Sequence, residues 1–338
     1  MRRAVTLIAA ALIAPGGIQP APDIDGGVRD VLMHALQFSA SELNDMQRGR
    51  AVKHGLDAHA PGEFGVAGGI RIAATKAAFL DAARDIVTFK AGEPIVQIGR
   101  FSSPPTIDDL APLKVDKTDF DANSCRVGDC GVRLPAEVIQ RVPKEIDVKG
   151  GAGQDESAAW FRRVLLADVQ AYVSGGPGRF VQYDDGNRQI RPIDAFEGIL
   201  AATPAVGTLV PGLPAHLSQF PSSRVPDSED FLYWSKETFG PEPFISVTHV
   251  TIVCPTTNTC AMTTKDVYSS RYIDASLALA IVTDAAAGDA IYVVYANRSR
   301  VNALRGALST VRKSVVERRA RSTLEQSLVR IKVRLEKK

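Results

Sequence analysis

Four β-patterned runs, residues 244–253, 261–272, 277–283 and 290–298, lead directly into one long basic amphipathic stretch from about 302 to 335. This succession constrains the fold more than any other feature of the chain. A sheet followed at once by a helix of that length must bury the helix against itself, because each presents an apolar face that is stable only when covered. If the sheet curls around the helix, a space for an apolar ligand forms between them. Leu304, Leu308, Val311, Val315, Leu324, Leu328, Ile331 and Leu335 recur mostly at steps of three or four and define the helix stripe expected to face the sheet. The gap between Val315 and Leu324, filled by Glu317, Arg318, Arg319 and Arg321, is its weak point.

Charge is unevenly placed. From Arg300 to the end there are 12 Lys/Arg against 3 Glu, which leaves the rest of a chain of net charge +2 acidic by 7. A basic carboxyl-terminal helix fits an anionic partner such as a membrane surface, and equally an ordinary solvated helix face. The overall balance gives no reason to expect a nucleic-acid partner.

The amino terminus reads as an export signal over residues 1–21. Arg2 and Arg3 precede an apolar run from Ala4 to Ala14, and Pro15, Gly16 and Gly17 end it. Eleven residues are too short for a membrane span, which needs about 20, and suit a cleavable signal for a periplasmic or extracellular protein. The cysteines agree. Cys125 with Cys130, and Cys254 with Cys260, form two close pairs, and an even count at short spacing in an exported chain predicts disulfides. Four such cysteines around one zinc is the alternative, but the spacings are loose and no His adjoins them. No metal and no cofactor is implied.

Upstream, the pattern predicts a helix over 28–38, strands over 48–56 and 64–72, a helix over 75–85 capped by Thr75, a short helix over 86–91, and a strand over 94–101. Residues 104–240 read as a helical and loop insert, with helices over 135–141, 158–172, 193–202 and 228–239. Glu229 and Asp230 are expected to begin the last of these, where the helix dipole favours them. The domain plan is therefore signal 1–21, first half of the core 28–103, insert 104–240, and second half of the core with the closing helix 241–338.

The run from Phe64 to Ile86 looks like the opening strand and helix pair of the helix-grip fold, and Tyr292 to Arg300 with the helix end Leu328 to Glu336 looks like its last strand and closing helix. The chain thus resembles, by pattern rather than by a signature motif, the START-like superfamily of lipid-transfer domains, plant allergen-type carriers and polyketide cyclases. The resemblance covers a little over half of the chain. It implies an α+β fold, an antiparallel sheet curled around a long carboxyl-terminal helix, with a helical insert. The stretches Ser124–Cys130, Asp230–Glu237 and Tyr295–Val301 are also similar to an uncharacterised group of exported bacterial proteins, which implies no biochemistry.

Candidate ligand-binding residues follow from the strands. His249 shares a face with Val247 and Thr251 and can hold a polar headgroup, act as a base, or be a hydrogen-bonded strand residue. Tyr268 and Tyr272, four apart, are expected to share a face, with Asp274 just beyond; they are candidate polar handles or plain core. Asn297 and Arg300 close the last strand, where an Arg can grip a carboxylate or phosphate or form a structural ion pair. No phosphate loop, Gly-x-Ser-x-Gly or His-Glu-x-x-His motif is present. Three readings remain: an exported carrier of a lipid-like or other apolar small molecule, a cyclase- or hydrolase-type enzyme using the same cavity, and an envelope protein whose basic helix meets anionic membrane.

Overall fold

The computed structural model describes residues 23–147, 153–176, 182–185, 188–238, 242–305 and 309–337. The export signal expected over 1–21 lies outside them, as does Leu308. Among the described residues no helix is long and apolar enough to cross a membrane.

The chain opens with α1 (Gly26–Asp30), which runs into a π-helical turn (Val31–Ala35), and α2 (Ala40–Gln47). Ser39 and Glu42 form a capping box that starts α2. Then come β1 (Val52–Leu56), β2 (Glu63–Ile72), α3 (Lys76–Arg84), α4 (Ile86–Lys90) and β3 (Ile95–Arg100). Thr75 caps α3 as its position predicts, accepting from Ala78 N, and Asp85 caps α4. Residues 101–228 carry α5 (Ala136–Ile139), α6 (Val142–Glu145), α7 (Gln154–Gly175), a small hairpin of β4 (Tyr183–Asp185) and β5 (Arg188–Ile190), α8 (Pro192–Ala201), α9 (Ala205–Leu209) and α10 (Leu213–Gln219). The chain finishes with β6 (Glu229–Glu237), β7 (Phe244–Val253), β8 (Thr259–Ser269), β9 (Ile273–Asp284), β10 (Ile291–Val301) and α11 (Ser309–Glu336).

Eight strands form one antiparallel sheet in the order β1-β2-β10-β9-β8-β7-β6-β3. The fold class is α+β. Every residue of β7 is buried, because helices cover both faces of the sheet. One face, carrying Ile70, Val250 and Val293, packs on α3, α4 and α11. The other is covered by the amino-terminal helices and α8–α10 over Leu279 and Val294, and by α7 and its neighbours over Trp234 and Val247.

Two expectations are corrected. Residues 228–239 are not a helix: they form β6, and Glu229 and Asp230 begin a strand. The aromatic spacing there looks helical because a strand buried on both faces shows no polar alternation. Phe231 and Tyr233 point into one core, while Leu232 and Trp234 point into another. The stripe of the long helix is also shorter than expected. Leu324, Leu328 and Leu335 are buried and Ile331 packs partly against them, but Val311 and Val315 are 64% and 60% exposed. Leu304 is buried in a 3-10 turn ahead of α11. The helix comes closest to the sheet where Gly68 of β2 leaves room: a Cβ there would sit 3.1 Å from Leu324 Cδ2. Ahead of that point Arg318 and Arg319 are exposed, while Val316 and Ala320 pack partly against Phe64, Val301 and Leu304.

Both cysteine pairs are disulfides, Cys125–Cys130 and Cys254–Cys260. They fit an exported protein.

Candidate functional site

Strand period two sorts the polar residues of the sheet onto its two faces, and each face gathers a different set. On the α11 face, the register places Tyr233 of β6 opposite Thr248 of β7, and Thr248 opposite Asp266 of β8. Lys90, at the end of α4, reaches down to this row and donates to the Tyr233 hydroxyl at 2.8 Å. Thr248 Oγ1 donates to Asp266 Oδ1 at 3.0 Å. Further along the same face, Ala278 of β9 lies between Thr264 and Asn297, and Tyr295 of β10 lies between Ala280 and Gly68, beneath Leu324. Lys90 at the end of α4, and Glu237, Thr264, Asp266, Ser276, Tyr295 and Asn297 on the strands of the eight-stranded sheet, are all only half-buried. We read this half-open strip of sheet face between α4 and α11 as a groove, with Ala278 and Ala280 in its floor and polar groups along its walls.

Its electrostatics are mixed. Burial works against the charge on Lys90, but Tyr233 and Glu237 outweigh it and hold the ammonium well above the usual lysine range. Burial, helped by the Glu237 charge, pushes the Asp266 carboxyl up to about 7. The Tyr295 hydroxyl is pushed up to about 12, chiefly by burial. The groove therefore offers a fixed cation, a carboxyl poised near neutrality, and two phenols.

Of the residues singled out from the sequence, only Asn297 lines this groove. Its Nδ2 donates to Ser276 Oγ at 3.0 Å, and its Oδ1 accepts from Ser299 Oγ at 2.9 Å. Arg300 and His249 lie on the opposite face. Arg300 approaches buried Glu63 at 3.6 Å, beside Arg298 at 3.2 Å. Tyr268 is buried under the small hairpin, its ring 6.1 Å from Tyr183. Tyr272 lies past the end of β8 at φ 59°, packed edge-on against Phe244, so the two tyrosines do not share a face. Asp274 is held between Arg133 at 2.9 Å and Arg305 at 3.1 Å. Lys90, Tyr233, Asp266 and Tyr295 were not singled out. The available signal was Asp266, an acid in phase with apolar Met262 on a strand buried on both faces.

The opposite face holds the second cluster. His216 of α10 and His249 of β7 each place Nε2 on Asp230 Oδ1, at 2.9 and 3.0 Å. Thr251 Oγ1 donates to the same oxygen at 2.8 Å. The Tyr172 hydroxyl of α7 meets His249 Nδ1 at 2.9 Å. Burial opposes ionisation of Asp230, but the two imidazoles hold its carboxyl well below the usual range. Burial lowers the His249 pKa despite the opposing pull of Asp230. Lys265, paired with His249 across β7 and β8, donates to the Leu217 carbonyl at 2.5 Å over the Phe196 ring; burial brings its pKa down to about 7.

No protein-family model, curated protein sequence or solved structure matches the chain.

Proposed function

We propose that this is an exported small-molecule-binding protein with a helix-grip-like core, and that its ligand occupies the groove between the central strands and α11. The observation that carries the reading is the row Lys90–Tyr233–Thr248–Asp266, whose ends, Lys90 and Asp266, are half-buried while Tyr233 and Thr248 between them are buried. Lys90 and Asp266 each spend one hydrogen bond within the row, on Tyr233 and Thr248, and keep further donor and acceptor capacity that a ligand headgroup can use. The alanine floor at Ala278 and Ala280 leads from the polar walls toward the apolar core under Leu324. This favours a ligand with a polar, hydrogen-bonding end and a lipid-like or other apolar body.

A second reading uses the same groove for acid/base chemistry of the cyclase or hydrolase kind. It is favoured by the Asp266 pKa of about 7, in the range a general acid or base needs at neutral pH. One experiment addresses both readings. Lipids, fatty acids and polycyclic aromatics are screened by thermal shift, and each hit is recovered and analysed chemically. A ligand at 100 times its dissociation constant stabilises the folded protein by about 2.7 kcal/mol. Binding that Lys90→Gln weakens supports the groove. An unchanged ligand indicates carriage, and a product lost in Asp266→Asn indicates catalysis. A screen with no hit, alongside salt-sensitive binding to anionic vesicles, replaces both with the membrane reading. Arg312, Arg318 and Arg319, exposed beside Val311 and Val315, are then the contact.

A further inference from the structure

The cluster on the face away from the groove has the composition and convergence of a metal-binding site. His216 Nε2, His249 Nε2 and an Asp230 carboxylate oxygen all lie within 4.8 Å of one another. The three residues come from three elements, α10, β6 and β7, so no local turn or cap accounts for their meeting. Both histidines are fully buried, and the Asp230 side chain is 13% exposed. As the side chains stand, two imidazoles and the Thr251 hydroxyl crowd onto one carboxylate oxygen. Around a tetrahedral ion with ligand bonds of about 2.0–2.1 Å, neighbouring ligand atoms are roughly 3.3 Å apart. The nitrogen–oxygen separations here are 2.9 and 3.0 Å, a few tenths of an ångström short of that spacing.

We propose that His216, Asp230 and His249 bind one divalent transition-metal ion of the zinc class. Two imidazoles and one carboxylate are the donor set that borderline divalent ions prefer over magnesium or calcium. The Thr251 hydroxyl, 2.8 Å from Asp230 Oδ1 and 3.2 Å from His216 Nε2, adjoins two of the three ligand atoms. Both imidazoles are fully buried, which suits a structural role: the ion ties α10, at the end of the long segment between β3 and β6, to the central strands. Tyr172 supports the second shell. Metal on Nε2 requires the His249 proton to sit on Nδ1, and the Tyr172 oxygen 2.9 Å away can accept it. Among the described residues His216 Nδ1 is buried with no hydrogen-bond partner, so the second shell rests on Tyr172 and metal on His216 Nε2 would leave the Nδ1 proton without an acceptor there. The inference is independent of what fills the groove.

The test uses the full disulfide-bonded protein, stripped with a chelator and titrated with Zn2+, then with Co2+. Uptake of one equivalent, visible Co2+ ligand-field bands and a higher melting temperature are expected. Long-range nitrogen–proton spectra should show two of the five histidines moving their proton from Nε2 to Nδ1 on Zn2+ addition. Tyr172→Phe, which keeps every ligand, should weaken binding about 10- to 100-fold, and His249→Gln should abolish stoichiometric uptake. If a ligand variant fails to fold, the histidine spectra of the unsubstituted protein still decide. No tautomer change with excess metal, or stoichiometric uptake undiminished in both variants, overturns the proposal.

Discussion

Asp266→Asn should make the protein more stable at neutral pH. The carboxyl rises from its ordinary 3.8 to about 7 on folding, because ionising it in the groove is costly. Below pH 3.8 the folded and unfolded chains both hold the proton, and the site carries no penalty. Between 3.8 and about 7 the unfolded chain gives up the proton while the folded chain keeps it, so the Asp266 contribution to stability falls steadily as pH rises. Above pH 7 the full penalty applies. At 1.36 kcal/mol per pH unit the span corresponds to about 4 kcal/mol. Water reaches the half-buried side chain and screens it, so about half of that, ~2 kcal/mol, is expected. Asn keeps the acceptor that Thr248 needs and cannot ionise. Urea melts of both proteins at intervals from pH 4.5 to 8 isolate the effect, because other titrating groups cancel in the difference. The variant should gain little at pH 4.5 and about 2 kcal/mol at pH 8. Equal stabilities at pH 8, or parallel pH profiles, would show that Asp266 is not held in a low-dielectric wall.

Leu328→Asp, which buries a charge under α11, should cost several kcal/mol or abolish soluble expression, whereas Val315→Asp on the exposed half should change stability by less than about 0.5 kcal/mol in thermal melts. Glu63→Ala should cost about 3–5 kcal/mol by chemical denaturation, because it strands the buried Arg298 beside Arg300. Peptide mapping without reduction should recover Cys125–Cys130 and Cys254–Cys260 as linked peptides; free thiols at all four positions in periplasmic material would contradict the assignment.

Much of the sheet was readable because its strands are long and run in sequence. The run 244–253 matches β7 residue for residue, and the strand ends elsewhere moved by a few residues. The helix pair after β2 was readable because Thr75 and the alanines that follow it are local signals. β6 was not, because its apolar residues point into two cores at once and its alternation disappears. The sites were harder still. His249 was visible, but whether it faced α11 or the opposite side of the sheet depends on how residues 101–228 wrap, and nothing local specifies that. His216, Asp230 and His249 are separated by 14 and 19 residues and meet only through packing of α10 on the sheet. Lys90 and Asp266 are 176 positions apart in the chain, and their shared groove arises from strand register and from the placement of α4 over β6.

The central claim is that the groove over β8–β10 holds a small molecule. Native mass spectrometry of the protein purified from its oxidising compartment tests it most directly, when paired with Thr264→Trp, which fills the groove from a half-buried position beside Asp266. The account predicts a bound mass adduct on the unsubstituted protein that is absent from a folded Thr264→Trp variant. An adduct retained in full by that variant would place the ligand elsewhere and contradict the account.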